Sequence, residues 1–135
     1  YCSHNNIFHK DVERYTSEDV SGTVITFKSG AVATVSGTNG GIPGQWLSQY
    51  ELVAKNITVN FAGPNHATMF KTDVSPVEKV EIRGDTNTML AETLDLIDAV
   101  ESDSETRTPM IEGAKSLELV LAASKSGETG QMVEF

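Results

Sequence analysis

The stretch from Val20 to Thr38, VSGTVITFKSGAVATVSGT, decides how this chain folds. In its first half Ile25 and Phe27 alternate with Val24, the two-residue period of a strand. Lys28-Ser29-Gly30 then predicts a hairpin turn, because Gly30 can take positive φ without steric cost. Residues 31–38 return as the partner strand. The small side chains of Ala31, Ala33 and Gly37 leave room for something bulky to lie over them.

Outward from this hairpin, strand patterns fill residues 1–83. Residues 1–6 predict a first strand and 10–19 a polar, turn-like segment. Residues 50–54 and 57–61 predict a second hairpin turned at Lys55-Asn56. Tyr50, Leu52 and Ala54 share one face of their strand; Ile57, Val59 and Phe61 share one face of theirs. Shorter strands are expected at 67–71 and 77–83. In the last, Val80 and Ile82 point one way and Lys79, Glu81 and Arg83 the other, so one face is wet.

Two helices follow. The first is expected over 87–101, with Leu90, Leu94, Ile97 and Val100 as its apolar stripe. Thr108 fits an N-cap and Pro109 the first helical position of the second helix. That helix carries Ala114, Leu117 and Leu121, widened by Leu119 and Val120, and Gly127 is its expected stop. Residues 131–135 fit a short strand or an arm. Strands followed by helices predict an α+β class: a mostly antiparallel open sheet with two C-terminal helices packed on one face. The length of 135 residues is that of one domain, assigned to residues 1–135.

Composition narrows the function. Acids outnumber bases 19 to 10, giving a net charge of −9, and that balance argues against nucleic acid or an anionic membrane as partner. No run approaches the roughly 20 apolar residues of a membrane span, and no signal peptide is visible. Cys2 is the only cysteine, so neither an intrachain disulfide nor a cysteine zinc site is possible. A cytoplasmic setting is expected, and the sequon at Asn56-Ile57-Thr58 is read as chance. The chain begins at Tyr1, not Met, which predicts a start set by expression design, proteolysis or processing.

No catalytic constellation emerges. The glycine cluster from Gly37 to Gly44 is broken by Pro43 and followed by a strand. It therefore reads as a mobile loop, not a phosphate cradle. His4, His9 and His66 lack metal-ligand spacing; His9 and Asp11 make at most a weak pair. Ser29-Gly30 and Ser36-Gly37 do not form a nucleophile elbow. Asp95 and Asp98 read as a solvated helix face, and Met89 and Met110 as gap fillers. Asn39 and Trp46 bound the glycine loop. A mobile loop beside a large amphipathic ring marks a possible substrate or subunit contact, with plain core as the other reading for Trp46.

Two stretches carry a family resemblance. Residues 18–33, EDVSGTVITFKSGAVA, resemble the C-terminal domain of the Gfo/Idh/MocA oxidoreductases, the family of glucose-fructose oxidoreductase and inositol dehydrogenase. Residues 109–133, PMIEGAKSLELVLAASKSGETGQMV, look like that family's final helix. The resemblance implies a two-domain parent. In it, an N-terminal Rossmann domain binds NAD or NADP, and a C-terminal α+β domain carries the substrate side and the oligomer contacts. It implies hydride transfer at a hydroxyl of a sugar, polyol or related compound, and dimers or tetramers assembled through the sheet. The family's Gly-rich loop and its Glu-Lys-Pro motif have no counterpart here, so no catalytic, cofactor-binding or metal-binding residue is carried over. By this reading the chain lacks the Rossmann domain, binds no cofactor and is inactive alone. The alternative is a non-catalytic module that binds a small molecule or another subunit.

Overall fold

The computed structural model describes residues 1–134. Among the described residues seven strands precede two helices, and all strand pairs are antiparallel, so the chain is α+β with C-terminal helices. It divides into two compact units, residues 1–45 with 108–135 and residues 46–107.

The first unit holds strands β1 (Cys2–Asn5), β2 (Val20–Thr26) and β3 (Val32–Thr38), in spatial order β1-β2-β3. The β2–β3 hairpin turns where expected, with Gly30 at φ 89°. Helix α2 (Met110–Thr129) lies against β1. Two contacts fix it there. The buried Ser126 hydroxyl accepts the Cys2 backbone N–H at 2.9 Å and donates to the Gln131 carbonyl at 2.6 Å. At Gly127 the helix backbone passes directly beneath the His4 ring, which would stand 2.8 to 2.9 Å from any Cβ placed there. Gly127 therefore does not stop the helix. It serves close approach, and the stop falls at Gly130, in the left-handed region at φ 66°. Thr108 is not the N-cap either; Pro109 occupies that position. Of the expected closing segment, residues 131–134 form no strand, and Phe135 lies outside the described residues.

The second unit holds β4 (Tyr50–Ala54), β5 (Ile57–Gly63), β6 (His66–Lys71) and β7 (Glu78–Arg83), paired in sequence order, and helix α1 (Thr88–Ser102). Register aligns Tyr50 with Phe61, Leu52 with Val59 and Ala54 with Ile57. The two apolar triplets thus share one face of the sheet, and the Tyr50 and Phe61 rings stack at 4.0 Å. Pairing of Met69 with Val80 and Ala67 with Ile82 extends that face across all four strands. The opposite face carries His66, Thr68, Lys79 and Glu81. Glu81 accepts from His66 at 3.1 Å and lies 2.7 Å from the Lys79 ammonium. Helix α1 starts as expected, with the Asn87 side chain capping Leu90 N–H at 3.1 Å.

Both helices bury a different side from the one their periodicity suggests. On α1 the covered positions are Ala91, Asp95 and Ala99, while Leu90, Leu94, Ile97 and Val100 stay exposed. On α2 the covered side runs through Leu119, Ala122, Ala123 and Ser126, leaving Leu117, Val120 and Leu121 exposed. Met89 and Met110 fill no gap; Met110 is 89% exposed. Asp95 is no free surface acid, since it accepts the Arg107 backbone N–H at 2.9 Å and its guanidinium at 2.8 Å. That pairing holds its carboxyl below the usual range.

Candidate functional site

The densest polar arrangement in the first unit is built around Asp19, at the mouth of β2. Its backbone ties three segments together. Asp19 N–H donates to the Asn5 carbonyl at 2.9 Å, and its own carbonyl accepts from Asn39 N–H at 3.0 Å. Its side chain is closed off from solvent and saturated. Oδ2 accepts the backbone N–H groups of Ile7, Phe8 and His9, and Oδ1 meets His9 Nδ1 at 2.6 Å. Burial alone would raise the Asp19 pKa. The hydrogen bonds from the His9 ring and from the Phe8, His9 and Ile7 amides outweigh it and hold the carboxyl at about 2.

Local sequence explains how His9 reaches an acid ten positions on. Asn6 accepts the His9 backbone N–H at 3.1 Å, and Val12 N–H donates to the His9 carbonyl at 2.9 Å, giving two successive turns. Arg14 then takes φ 63° and the chain doubles back. This brings the Tyr15 ring onto the His9 ring, centroids 4.6 Å apart and 26° from parallel. Asn39 Nδ2 donates to the Tyr15 hydroxyl. Phe8 lies over Gly40, where a side chain would collide with its ring, so the glycine loop is held against the 6–9 segment by close approach.

No family model, no curated protein and no solved structure matches this chain.

Of the two residues singled out in the sequence, Asn39 belongs to this cluster. Trp46 begins the second unit and is 94% exposed, so it is not core. The weak His9–Asp11 pairing is replaced by His9–Asp19. His4 packs on Gly127 and His66 pairs with Glu81 on the polar sheet face. Among the described residues no three His, Cys, Asp or Glu side chains converge to hold a metal. Cys2 is a buried free thiol.

A second feature of the first unit is an open cleft of about 1080 Å³ between the end of β2 and α2. Val24, Ile25, Phe27, Leu119, Ala123 and Met132 line it. It is mainly apolar, with Lys28 and Glu134 as its only charged side chains among the described residues, so it offers cover chiefly for hydrocarbon.

Proposed function

We propose that the chain is the substrate-side and oligomerisation portion of an NAD(P)-dependent oxidoreductase acting on a sugar, polyol or related hydroxy compound. In this reading its partners are a Rossmann cofactor domain and further copies of itself, its setting is the cytoplasm, and alone it neither binds the cofactor nor turns over substrate. Two things support the reading. One is the ordered resemblance across residues 18–33 and 109–133. The other is uncovered apolar surface. Two separate compact units of this combined mass would expose roughly 8,300 Å² in total by the scaling of surface with mass. The chain exposes 11100 Å². The chain thus exposes more surface than two compact units of its mass would. Much of it comes from apolar side chains on the two helices and the second sheet, including Leu52, Tyr50, Leu94 and Leu121. Among the described residues no helix is long and apolar enough to cross a membrane, so lipid around such a helix does not account for these side chains.

Sedimentation equilibrium tests the assembly half of the reading. The expected result is a concentration-dependent mass above 14.5 kDa. A monomer maintained to about 100 μM, well above the micromolar affinity of weak specific pairs, would overturn it. Calorimetric titration with NADH and NADPH tests the other half. No heat of binding is expected from the chain alone, and micromolar affinity for either cofactor would refute the division of labour. In the native polypeptide, a mass of about 35–40 kDa and polyol-dependent reduction of NAD or NADP are the positive signs.

A further inference from the structure

We propose that Asn39 is a site of spontaneous deamidation, and that two hydrogen bonds of the fold set its rate. The proposal stands on the first unit alone and does not rest on the oxidoreductase reading.

The chemistry belongs to the pair Asn39-Gly40. Once the Gly40 amide gives its proton to water or hydroxide, its nitrogen can attack Cγ of the Asn39 side chain. A bond forms between that nitrogen and Cγ, the bond from Cγ to Nδ2 breaks, and ammonia leaves. The succinimide so formed is opened by water at either carbonyl, giving aspartate or isoaspartate. Amide plus water yields acid plus ammonia, so the step needs no oxidant, reductant or enzyme. A side chain on the residue after the asparagine hinders the attack, and glycine has none. Of the chain's seven asparagines only Asn39 precedes glycine; the others precede Asn, Ile, Phe, His or Thr. Asn39 and Gly40 are both exposed, just past the end of β3, so water reaches them.

The fold holds both reacting groups back. Gly40 N–H donates to Thr38 Oγ1 at 3.0 Å, which keeps the proton on the attacking nitrogen. Asn39 Nδ2 donates to the Tyr15 hydroxyl, which anchors the side chain that must swing onto that nitrogen. Attack therefore requires both bonds to open. The backbone on either side is also tied: Asn39 N–H donates to the Asp19 carbonyl at 3.0 Å, and the Phe8 ring lies against Gly40. Deamidation would change this corner in two ways. A carboxylate would stand where Nδ2 donated, so the Tyr15 hydroxyl must donate instead of accept. Isoaspartate would also lengthen the main chain by one carbon between the Asp19 tie and the Phe8 contact, where Gly40 has no spare room.

The test is storage of the intact chain in mildly alkaline buffer. Peptide mapping by mass spectrometry locates each conversion and separates isoaspartate from aspartate. A free peptide of residues 35–42 serves as the unrestrained reference. Asn39 should convert ahead of every other asparagine in the chain. It should convert more slowly than in the peptide, by on the order of tenfold, the effect of two hydrogen bonds on a rate. Thr38→Val keeps a strand-forming shape and removes the acceptor of Gly40 N–H. Tyr15→Phe keeps the ring on His9 and removes the anchor of the Asn39 side chain. Each should speed conversion at Asn39 by about two- to tenfold, the effect of one hydrogen bond, while the amide NMR spectrum stays folded. If one variant fails to fold, the other carries the comparison. Earlier conversion of another asparagine, equal rates in chain and peptide, or an unchanged Asn39 rate in a folded variant would overturn the proposal.

Discussion

Gly113 and Gly127 lie on the same helix, and the structure gives the substitution to alanine opposite signs at the two positions. Glycine inside a helix costs about 0.5–1 kcal/mol relative to alanine, because the unfolded chain loses more freedom on ordering. At Gly113 a Cβ would meet nothing within 4 Å, so that gain is unopposed. Gly113→Ala should stabilise the chain by about 0.5–1 kcal/mol. At Gly127 the same methyl would lie 2.8 Å from His4 Cε1 and 2.9 Å from Cδ2 and Cγ. Carbon atoms prefer roughly 3.5–4.0 Å, so the ring must retreat by about 0.7 Å or more. Three ring atoms lie within that distance, so a simple flip of the imidazole does not relieve the clash. Overpacking of this kind costs about 1–3 kcal/mol. Subtracting the helix gain leaves Gly127→Ala destabilising by about 0.5–2 kcal/mol. Urea denaturation of the two variants reads the difference directly, since propensity cancels between them and only the clash remains. A double variant, His4→Ala with Gly127→Ala, should recover most of the loss caused by the glycine change. Two stabilised single variants would show that α2 does not sit on β1 as described.

Two further outcomes follow from the charge distribution and from Trp46. Asp19 and Glu81 are both held at about 2, against ordinary values of 3.8 and 4.5. For Asp19 the amide and imidazole hydrogen bonds overcome burial; for Glu81 the Lys79 and His66 side chains lead. A depressed carboxyl pKa contributes stability that is present above the unfolded value and lost as pH falls through the folded one. Urea midpoints should therefore decline between pH 4.5 and about 2, and Asp19→Asn should flatten that decline. A flat wild-type profile across the window would contradict the hydrogen bonding assigned to both groups. Trp46, at 94% exposure, should emit as a water-exposed indole and be freely quenched by acrylamide. Trp46→Ala should change the chain's stability by less than about 0.5 kcal/mol, so a larger loss in urea would place the ring in a core.

The strands were legible because their signals are local. Residues 50–54 alternate and end at Lys55-Asn56, and the strand observed is Tyr50–Ala54. Gly30 announced its turn through the one property it has, tolerance of positive φ. The Asp19 cluster was not legible. His9 and Asp19 are ten positions apart, and the contact depends on the left-handed backbone at Arg14, a residue with no special preference for it. Only Asn39 was visible in advance, because it opens a glycine loop. Gly127 misled for a similar reason. A glycine near a helix end reads as a cap, and the ring that demands it comes from His4, at the far end of the chain.

The misassigned helix stripes carry the more useful physical lesson. Periodicity reports which side of a helix is apolar, and burial in the isolated chain reports which side this chain can cover. On α1 the two disagree: the covered side contains Ala91 and Ala99, and the uncovered side contains Leu90, Leu94, Ile97 and Val100. Ala91 and Ala99 are small side chains, and they are the apolar positions of α1 that are covered. Large ones supply the area that stabilises association, at about 25 cal/mol per Å² removed from water. Four large aliphatic side chains on one helical face would be a standing cost in a monomer and an asset in an assembly. The same division recurs on α2, where Ala122, Ala123 and Ser126 face inward while Leu117, Val120 and Leu121 face out. On both helices a stripe of large apolar side chains thus lies off the covered side, with Leu119 the large aliphatic side chain that α2 keeps partly covered.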